Sequence, residues 1–237
     1  MAISTNPLAW LRSVQPRRAI ALLLLLLPLT VGAQTVRDLW LSMPPSFAPY
    51  LSTSLRTQCL DFYDMHTDAQ TDNALKGKSR IDTLTSTFLA ATLSKAHTLQ
   101  MKLLPASGSG LGSALGSGSG SSSSLSSCDS VLCVVRSWDG PKRDSEVQLF
   151  DRQWKPLQAP LTFSADSFVC RPDTMSEERF SRLVALFDPI MFSVSLSPAE
   201  NVLLVKLSPV VPNPEDEKAI EQILVQRKLK WDGKTFK

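Results

Sequence analysis

Side chains that can bind a metal ion or move a proton are concentrated between residues 61 and 72. They are Asp61, Asp64, His66, Asp68 and Asp72. Carboxylates and imidazoles bind divalent cations, and two converging carboxylates can serve as the general acid and base of a hydrolase. In the predicted helix, however, Asp61, Asp64 and Asp68 share one face, as solvated acidic residues do, and no glycine-bent calcium loop is present. We predict no metal site, and the stretch supports a hydrolase only as an alternative to a non-catalytic function.

Two motifs that occur in enzymes are incomplete in this chain. Gly77-Lys78-Ser79 has the ending of a phosphate-binding loop, but Asp72 stands where the loop needs a glycine, and no apolar strand precedes it. Gly77 is expected instead in a turn that ends a helix. Neither His66 nor His97 accompanies a G-x-S-x-G motif, and His97 is expected in an exposed hairpin turn. We predict no catalytic residue and no cofactor.

The cysteines leave the redox state open. They are Cys59, Cys128, Cys133 and Cys170. Four residues separate Cys128 from Cys133, so this pair is neither a C-x-x-C redox motif nor a paired zinc knuckle. In an oxidising compartment four cysteines allow three connectivities, and the sequence is compatible with one disulfide or with buried free thiols.

Three tryptophans are candidates for contact with a partner: Trp138, Trp154 and Trp231. An exposed aromatic patch or a free sheet edge is a common means by which a non-catalytic module binds a protein or a glycan. The residues therefore favour an unidentified binding or structural role in which a protein or glycan of the cell envelope is the partner.

The N-terminus has the parts of a secretory signal peptide. Three arginines lie within residues 12–18, residues 19–27 are an almost unbroken apolar run, and residues 31–33 are small enough for a signal peptidase. Pro28 interrupts the run, which is shorter than the ~20 residues that span a bilayer, so cleavage is favoured over a retained anchor. Gln34, rather than cysteine, follows the cleavage point. The prediction is an exported chain beginning at Gln34, periplasmic or on the outer surface, and not a lipoprotein.

Removal of residues 1–33 would change the net charge. The full sequence has 25 Lys and Arg against 22 Asp and Glu, a formal charge of +3. Residues 1–33 contain three of those arginines and no acidic residue, so the chain from Gln34 onward has a formal charge of zero. The total charge therefore gives no indication of binding to nucleic acid or to an anionic membrane.

Two stretches of the chain resemble each other, Phe88–Pro105 and Phe192–Pro209. Apolar and polar residues alternate at matching steps, as in β-hairpins with one face in a core and the other in solvent. The matching apolar residues are Leu99, Met101 and Leu103 in the first stretch and Leu203, Val205 and Leu207 in the second. Lys102 and Lys206 occupy equivalent positions, so both are predicted to face solvent. The likeness indicates either an internal duplication or two similar hairpins of independent origin, because one repeat does not establish a period.

Residues 106–127 are almost entirely glycine and serine. This composition cannot bury enough apolar area to offset the entropy of ordering, so the segment is predicted to be disordered. It could separate two small domains or form an enlarged loop within one. We favour the loop, because long flexible insertions add little closure entropy and both flanks are predicted strands.

Helices are predicted between the hairpins. The predicted helices are Thr35–Met43, Ser46–Asp68, one beginning after Asp173 or Thr174, and one capped by Asn213 with an inner stripe that ends at Arg227. A third hairpin joins strands at residues 130–137 and 146–150 through a turn at Asp139-Gly140-Pro141. Helices segregated around antiparallel hairpins, or a meander, indicate an α+β fold.

Six motifs carry a family resemblance. They are Met43-Pro44, Leu60-Asp61-Phe62, Gly77-Lys78-Ser79, Leu99–Pro105, Trp154-Lys155-Pro156-Leu157 and Leu229-Lys230-Trp231. With these motifs the chain resembles an uncharacterised family of proteins exported by Bacteroides-like bacteria, over almost its whole length after residue 33. The resemblance implies residence in the periplasm or on the outer surface, and it implies no activity. The Gly/Ser-rich segment departs from the family pattern.

Overall fold

A six-stranded antiparallel meander forms the central layer of the computed structural model, which describes residues 34–106, 130–158, 160–211 and 213–237. Its strands, in spatial and chain order, are β1 (Thr71–Asp72), β2 (Lys78–Leu84), β3 (Phe88–Ser94), β4 (His97–Pro105), β5 (Ser130–Asp139) and β6 (Arg143–Phe150). The predicted signal peptide, most of the predicted insert and Cys128 lie outside the described residues.

A second antiparallel sheet and four helices complete the described part of the fold. The strands of this sheet are β7 (Phe192–Leu196), β8 (Val202–Leu207) and β9 (Arg227–Lys230). The helices are α1 (Val36–Ser42), α2 (Thr53–Asp64), α3 (Glu177–Val184) and α4 (Pro214–Glu221). This architecture confirms the predicted α+β class. No helix in the described ranges has both the length and the apolar character needed to cross a membrane.

Local sequence signals explain where α1 and α4 begin. The Thr35 hydroxyl accepts a hydrogen bond from the Asp38 amide, while the Asp38 carboxylate accepts one from the Thr35 amide at 2.8 Å, so the first helix starts in a capping box. Asn213 caps the last helix and Pro214 occupies its first turn, where the missing N–H is no loss. Both starts were predicted.

The two middle helices begin later than predicted. Pro45–Phe47 forms only a short 3-10 turn, and α2 starts after Ser52, whose hydroxyl accepts from Leu55 N. The ring of Pro49 disfavours helical backbone in the residue before it, which explains the delay. In α3 the cap is Ser176 rather than Asp173 or Thr174.

The central sheet is buried on both faces. One face packs against α1 and α2, and its core includes Leu39, Trp40, Leu99, Met101 and Val134. The other face packs against the second sheet, α3 and α4, and its core includes Leu104, Cys133, Val135, Val205 and Ile220. The middle strands β4 and β5 therefore have no solvated face.

Burial of both faces contradicts the prediction for Lys102. Its side chain is 2% exposed, and Nζ donates hydrogen bonds to the carbonyl oxygens of Ser197 (2.6 Å), Pro198 (3.1 Å) and Glu200 (2.6 Å). These carbonyls belong to the turn between β7 and β8, so the first hairpin binds the turn of the second. Lys206, at the equivalent position, is exposed as predicted.

Side chains of the central sheet also satisfy the free edge of β7. Three of its amides donate to side chains, Phe192 to Asp144 (3.3 Å), Val194 to Ser145 (3.1 Å) and Leu196 to Gln100 (2.7 Å). The edge strand of a sheet normally has unpaired amides that can pair with a strand of another chain. Here the edge is closed by the neighbouring layer, which fixes the position of the second sheet.

Two smaller predictions need correction. Ala106 is 5% exposed and belongs to a core, so the Gly/Ser-rich segment begins after it. Pro105 and Ser130 are register partners, so this segment connects neighbouring strands of one sheet. Arg227 is not part of a helical stripe, because α4 ends at Glu221 and Arg227 begins β9.

Candidate functional site

The acidic stretch does not form a common centre. Asp61 and Asp64 lie in the last turn of α2, Asp68 is exposed in the loop that follows, and Asp72 ends β1. Asp64 forms a salt bridge with Arg37 at 2.6 Å, and this guanidinium holds the pKa of Asp64 below its usual range. Asp72 pairs with Lys78 on β2. Within the described ranges, no three acidic, histidine or cysteine residues are placed to share a metal ion.

A polar groove of about 460 Å³ lies between the end of α2 and the outer edge of β2. His66 and Asp68 line one side and Arg80 and Asp82 the other. Arg80 pairs with Asp82 at 2.7 Å, and the Thr92 hydroxyl donates to the same carboxylate at 2.7 Å. Asp82 is thus held by two neighbours on the sheet.

The lysine of the incomplete phosphate-binding motif lies on a strand. Gly77 ends the turn between β1 and β2, and Lys78 and Ser79 begin β2. A phosphate-binding loop must lead into a helix N-terminus, where free amides point at the anion. Because Gly77 follows a strand and precedes another, the expectation that it ends a helix is wrong, although it does lie in a turn.

Three cysteines are described and all three have free thiols. Cys59 and Cys133 are buried in opposite cores, whereas Cys170 is exposed. Burial raises the pKa of the Cys59 and Cys133 thiols, which disfavours the reactive thiolate. Any disulfide that includes Cys128 lies outside the described residues.

Two of the three candidate tryptophans serve packing. Trp154 is 7% exposed and lies in the core beneath α1 and α2. Trp231 is half-buried, packs against Phe236 and donates from its indole nitrogen to Pro105 O at 2.6 Å. The prediction that these residues form a binding patch is wrong for Trp154, because that side chain is buried in the apolar core on the α1 and α2 side of the central sheet.

Trp138 is 40% exposed and lies in an ordered cluster. It is the register partner of His97, and the two rings stack with centroids 5.3 Å apart and planes 7° from parallel. The Arg136 guanidinium lies 5.5 Å from the Trp138 ring and 5.0 Å from the ring of Phe47. Glu146 holds Arg136 in place through a 2.6 Å salt bridge. We call this cluster, completed by Tyr50, the aromatic end.

His97 supports the aromatic end from its buried side. This residue is 9% exposed, which contradicts its predicted place in an exposed turn, and its Nδ1 is hydrogen-bonded to the Tyr50 hydroxyl. Burial, aided by the charge of Arg136, lowers the pKa of His97, so the ring is neutral near pH 7. Its Nε2 is buried without a hydrogen-bond partner among the described residues. A neutral ring can stack on Trp138 without an added charge beside Arg136.

The aromatic end occupies one end of the central sheet. In a meander the turns alternate between the two ends, so the turns after β1, β3 and β5 lie together. The turn after β1 carries Leu75, which is 65% exposed, and its Ala74 amide donates to Tyr50 O at 3.0 Å. The turn after β3 joins Trp138's strand through Asp139 N and Ala96 O at 2.9 Å. This end of the sheet therefore carries both an exposed leucine and an exposed tryptophan.

Sequence reasoning found Trp138 but missed its supports. Tyr50, His97 and Arg136 come from three separate segments. Register between β4 and β5 brings His97 beside Trp138, and Tyr50 reaches His97 from the loop before α2. Part of the signal was present: the predicted strand 130–137 stops one residue before Trp138, and the strand in the structure continues to Asp139, so Arg136 and Trp138 share a face. The pairing of β4 with β5 across the Gly/Ser-rich segment could not be read from local pattern.

Comparison with other proteins identifies relatives without assigning an activity. A family model for proteins of unknown function, DUF3256, matches residues 28–111 and 123–236. The unmatched residues between these ranges lie in the Gly/Ser-rich segment, where the departure from the family was expected. Comparison with curated proteins gives no match.

The fold is also similar to a solved structure of a domain of an uncharacterised protein from Porphyromonas gingivalis W83. The TM-score is 0.61 at 21% sequence identity, and the alignment covers 85% of this chain and 98% of that one. At this identity the likeness shows the fold alone. The family match extends over most of the sequence, and the chain belongs to the DUF3256 family of proteins of unknown function.

Proposed function

We propose that the protein is exported to the cell envelope and acts there as a non-catalytic module that binds a partner protein through the aromatic end. Export rests on the signal-like composition of residues 1–33 and on the family resemblance. In this proposal the mature chain begins at Gln34, carries no lipid and resides in the periplasm or on the outer surface.

The observation that carries the binding function is the fixed position of an exposed tryptophan. Trp138 is 40% exposed, yet it stacks on His97 and lies beside Arg136. Ordering a side chain on binding costs about 0.5–1.5 kcal/mol, and this loss has already occurred in the free protein. Tryptophan, tyrosine and arginine are the residues that dominate binding energy at protein interfaces, and the aromatic end contains all three.

The surroundings of Trp138 favour a protein partner over a glycan. Sugars bind tryptophan by covering a free face of the indole ring. In this cluster His97 stacks on the ring, and the Arg136 guanidinium lies over it. The exposed part of Trp138 is suited to insertion between side chains of a partner.

Site-specific crosslinking in cells tests the binding function. A photoreactive amino acid replaces Trp138 in one variant and Met65 in a control, since Met65 is also exposed (59%) but lies after α2 at the other end of the sheet. We expect one discrete protein adduct from position 138 and none from position 65. With the captured partner purified, Trp138→Ala should weaken binding roughly 30-fold or more, as for an interface hot spot of about 2 kcal/mol. Equal adducts from both positions, or unchanged affinity, would refute the proposal.

Intact-mass measurement of the envelope fraction tests export separately. The expected species starts at Gln34 and is released without detergent. A chain that still contains residues 19–27 and needs detergent for extraction would contradict cleavage.

The crosslinking test has one further outcome. A glycan adduct with no protein adduct at position 138 would change the class of partner and would not affect the proposal of export.

A further inference from the structure

The outer face of the second sheet carries three lysines. Leu203 and Leu229 are register partners that face the core. Because side chains alternate along a strand, the residues directly before and after each of these leucines point away from the core. Register pairs Leu204 with Lys228 and Val202 with Lys230, which places both lysines of β9 on the outer face. Lys206 follows two residues after Leu204 and shares that face.

Basic residues outnumber acidic residues in the segments that form β8 and β9 and in the residues after β9. Residues 202–207 and 227–237 contain six lysines and arginines and one acidic residue, Asp232. Lys228 pairs with Glu200 in the neighbouring turn, and Lys228 is the main cause of the lowered pKa of Glu200, with Lys230 acting in the same direction. Neither Lys206 nor Lys230 forms an ion pair with any described residue. The excess of positive charge contrasts with a chain that is neutral overall from Gln34 onward.

Protection of a sheet edge does not explain these lysines. Lysine on an edge strand commonly discourages pairing with other chains. The edge of β9, however, is already occupied at both ends: Val225 N donates to Phe168 O at 2.8 Å, and Lys230 and Lys237 exchange backbone hydrogen bonds of 2.6 and 2.9 Å. Lys206, moreover, lies on the central strand β8, which has no free edge.

We infer that this outer face binds a membrane surface that presents anionic phosphate headgroups. Lysine binds phosphate as a point charge on a flexible stem, whereas arginine is preferred where a carboxylate is held in a fixed bidentate geometry. A sheet face with three lysines on neighbouring positions suits a layer of mobile headgroups. Within the described ranges, none of the large apolar side chains that are exposed belongs to β7, β8 or β9, so the attraction is electrostatic and no side chain inserts.

Vesicle cosedimentation of the purified chain from Gln34 onward tests this inference. The vesicles are phosphatidylcholine alone, or phosphatidylcholine and phosphatidylglycerol in a three-to-one ratio. We expect binding only to the anionic vesicles, with loss of binding at about 0.5 M salt, where the Debye length falls well below 10 Å. The variant Lys206→Gln/Lys228→Gln/Lys230→Gln should bind on the order of 100-fold more weakly, since each lysine near an anionic surface contributes roughly fivefold.

The matched control is Lys76→Gln/Lys95→Gln/Lys155→Gln, which removes the same charge from exposed lysines outside the second sheet. This control should retain wild-type binding, and the far-ultraviolet spectrum and Tm of both variants should match those of the wild type. Equal loss in both variants, or wild-type protein that ignores anionic vesicles, would overturn the inference. Binding to a soluble acidic polysaccharide in place of vesicles would also overturn it. None of these outcomes affects the crosslinking test at Trp138.

Discussion

The two similar hairpins, β3–β4 and β7–β8, have matching residue patterns in different surroundings. Met101 and Val205 occupy the same position and both are fully buried. Lys102 and Lys206 also occupy the same position, but Lys102 is 2% exposed and Lys206 faces solvent. The first hairpin lies in the middle layer of three, while Lys206 of the second hairpin lies on the outer face of the second sheet.

The difference shows what an alternating pattern can and cannot determine. Alternation establishes which residues share a face, because successive side chains of a strand point in opposite directions. It does not establish what covers that face. A buried ammonium is tolerable when all three of its N–H groups have acceptors, and Lys102 obtains these from a turn about 100 residues away in the chain.

The largest effect should come from a carboxylate on the shared apolar face. Met101→Asp and Val205→Asp should each unfold the protein, since an unpaired charge in an apolar interior costs several kcal/mol against a total stability of about 5–15 kcal/mol. Circular dichroism and thermal unfolding measure the outcome, with Met101→Leu and Val205→Ile as controls that keep the transition. A folded Val205→Asp variant beside an unfolded Met101→Asp variant would show that the second hairpin is dispensable.

The lysines should separate the hairpins most clearly. Lys102→Met keeps the length of the side chain but leaves the carbonyls of Ser197 and Pro198 without their donor, so we expect a loss of about 2–4 kcal/mol. Lys206→Met should change the free energy of unfolding by no more than about 0.5 kcal/mol. Urea denaturation of both variants measures the contrast. Equal effects would mean that the turn carbonyls are satisfied equally well by water when Lys102 is absent.

These contrasts also indicate how much of the molecule could be predicted from sequence. Strand alternation and helix caps were sufficient for the α+β class, both hairpins and the start of the first helix at Thr35. They failed at Lys102 and His97, where a second layer or a distant ring covers a position that looks exposed in local pattern. Of the residues in the aromatic end, the sequence analysis identified only Trp138 as a candidate for binding. Its supports depend on register between β4 and β5, and local sequence does not encode that register.

A smaller effect should come from the residues that precede the lysines by two positions. Gln100 accepts a hydrogen bond from Leu196 N at 2.7 Å, whereas the equivalent Leu204 lies on the solvated face of the second hairpin. Gln100→Leu should cost about 1–2 kcal/mol, because the amide at the edge of β7 loses its acceptor. Leu204→Gln should be nearly neutral. Denaturation midpoints test both changes, and a neutral Gln100→Leu would show that another group accepts the Leu196 amide.

The smallest expected effect is a pH dependence that belongs to the first hairpin alone. The turn of the second hairpin, Ser197–Asn201, contains no histidine, whereas the first has His97, buried against Tyr50 and Trp138. Burial lowers the pKa of His97 in the folded state below the unfolded value of about 6.5. The unfolded chain therefore binds more protons as the pH falls below about 6.5, so stability decreases there and is fully retained above it.

The pH effect can be isolated with the second histidine of the chain. The loss cannot exceed about 1.4 kcal/mol per pH unit, the limit for one proton. Chemical denaturation between about pH 7.5 and 5 should show this decrease for the wild type and for His66→Gln, whose ring is exposed after α2. In His97→Gln the decrease should be reduced, because the titrating ring is gone while the Trp138 strand remains paired. If stability falls equally with pH in all three proteins, groups other than His97 cause the decrease. The pH dependence would then not distinguish the first hairpin from the second.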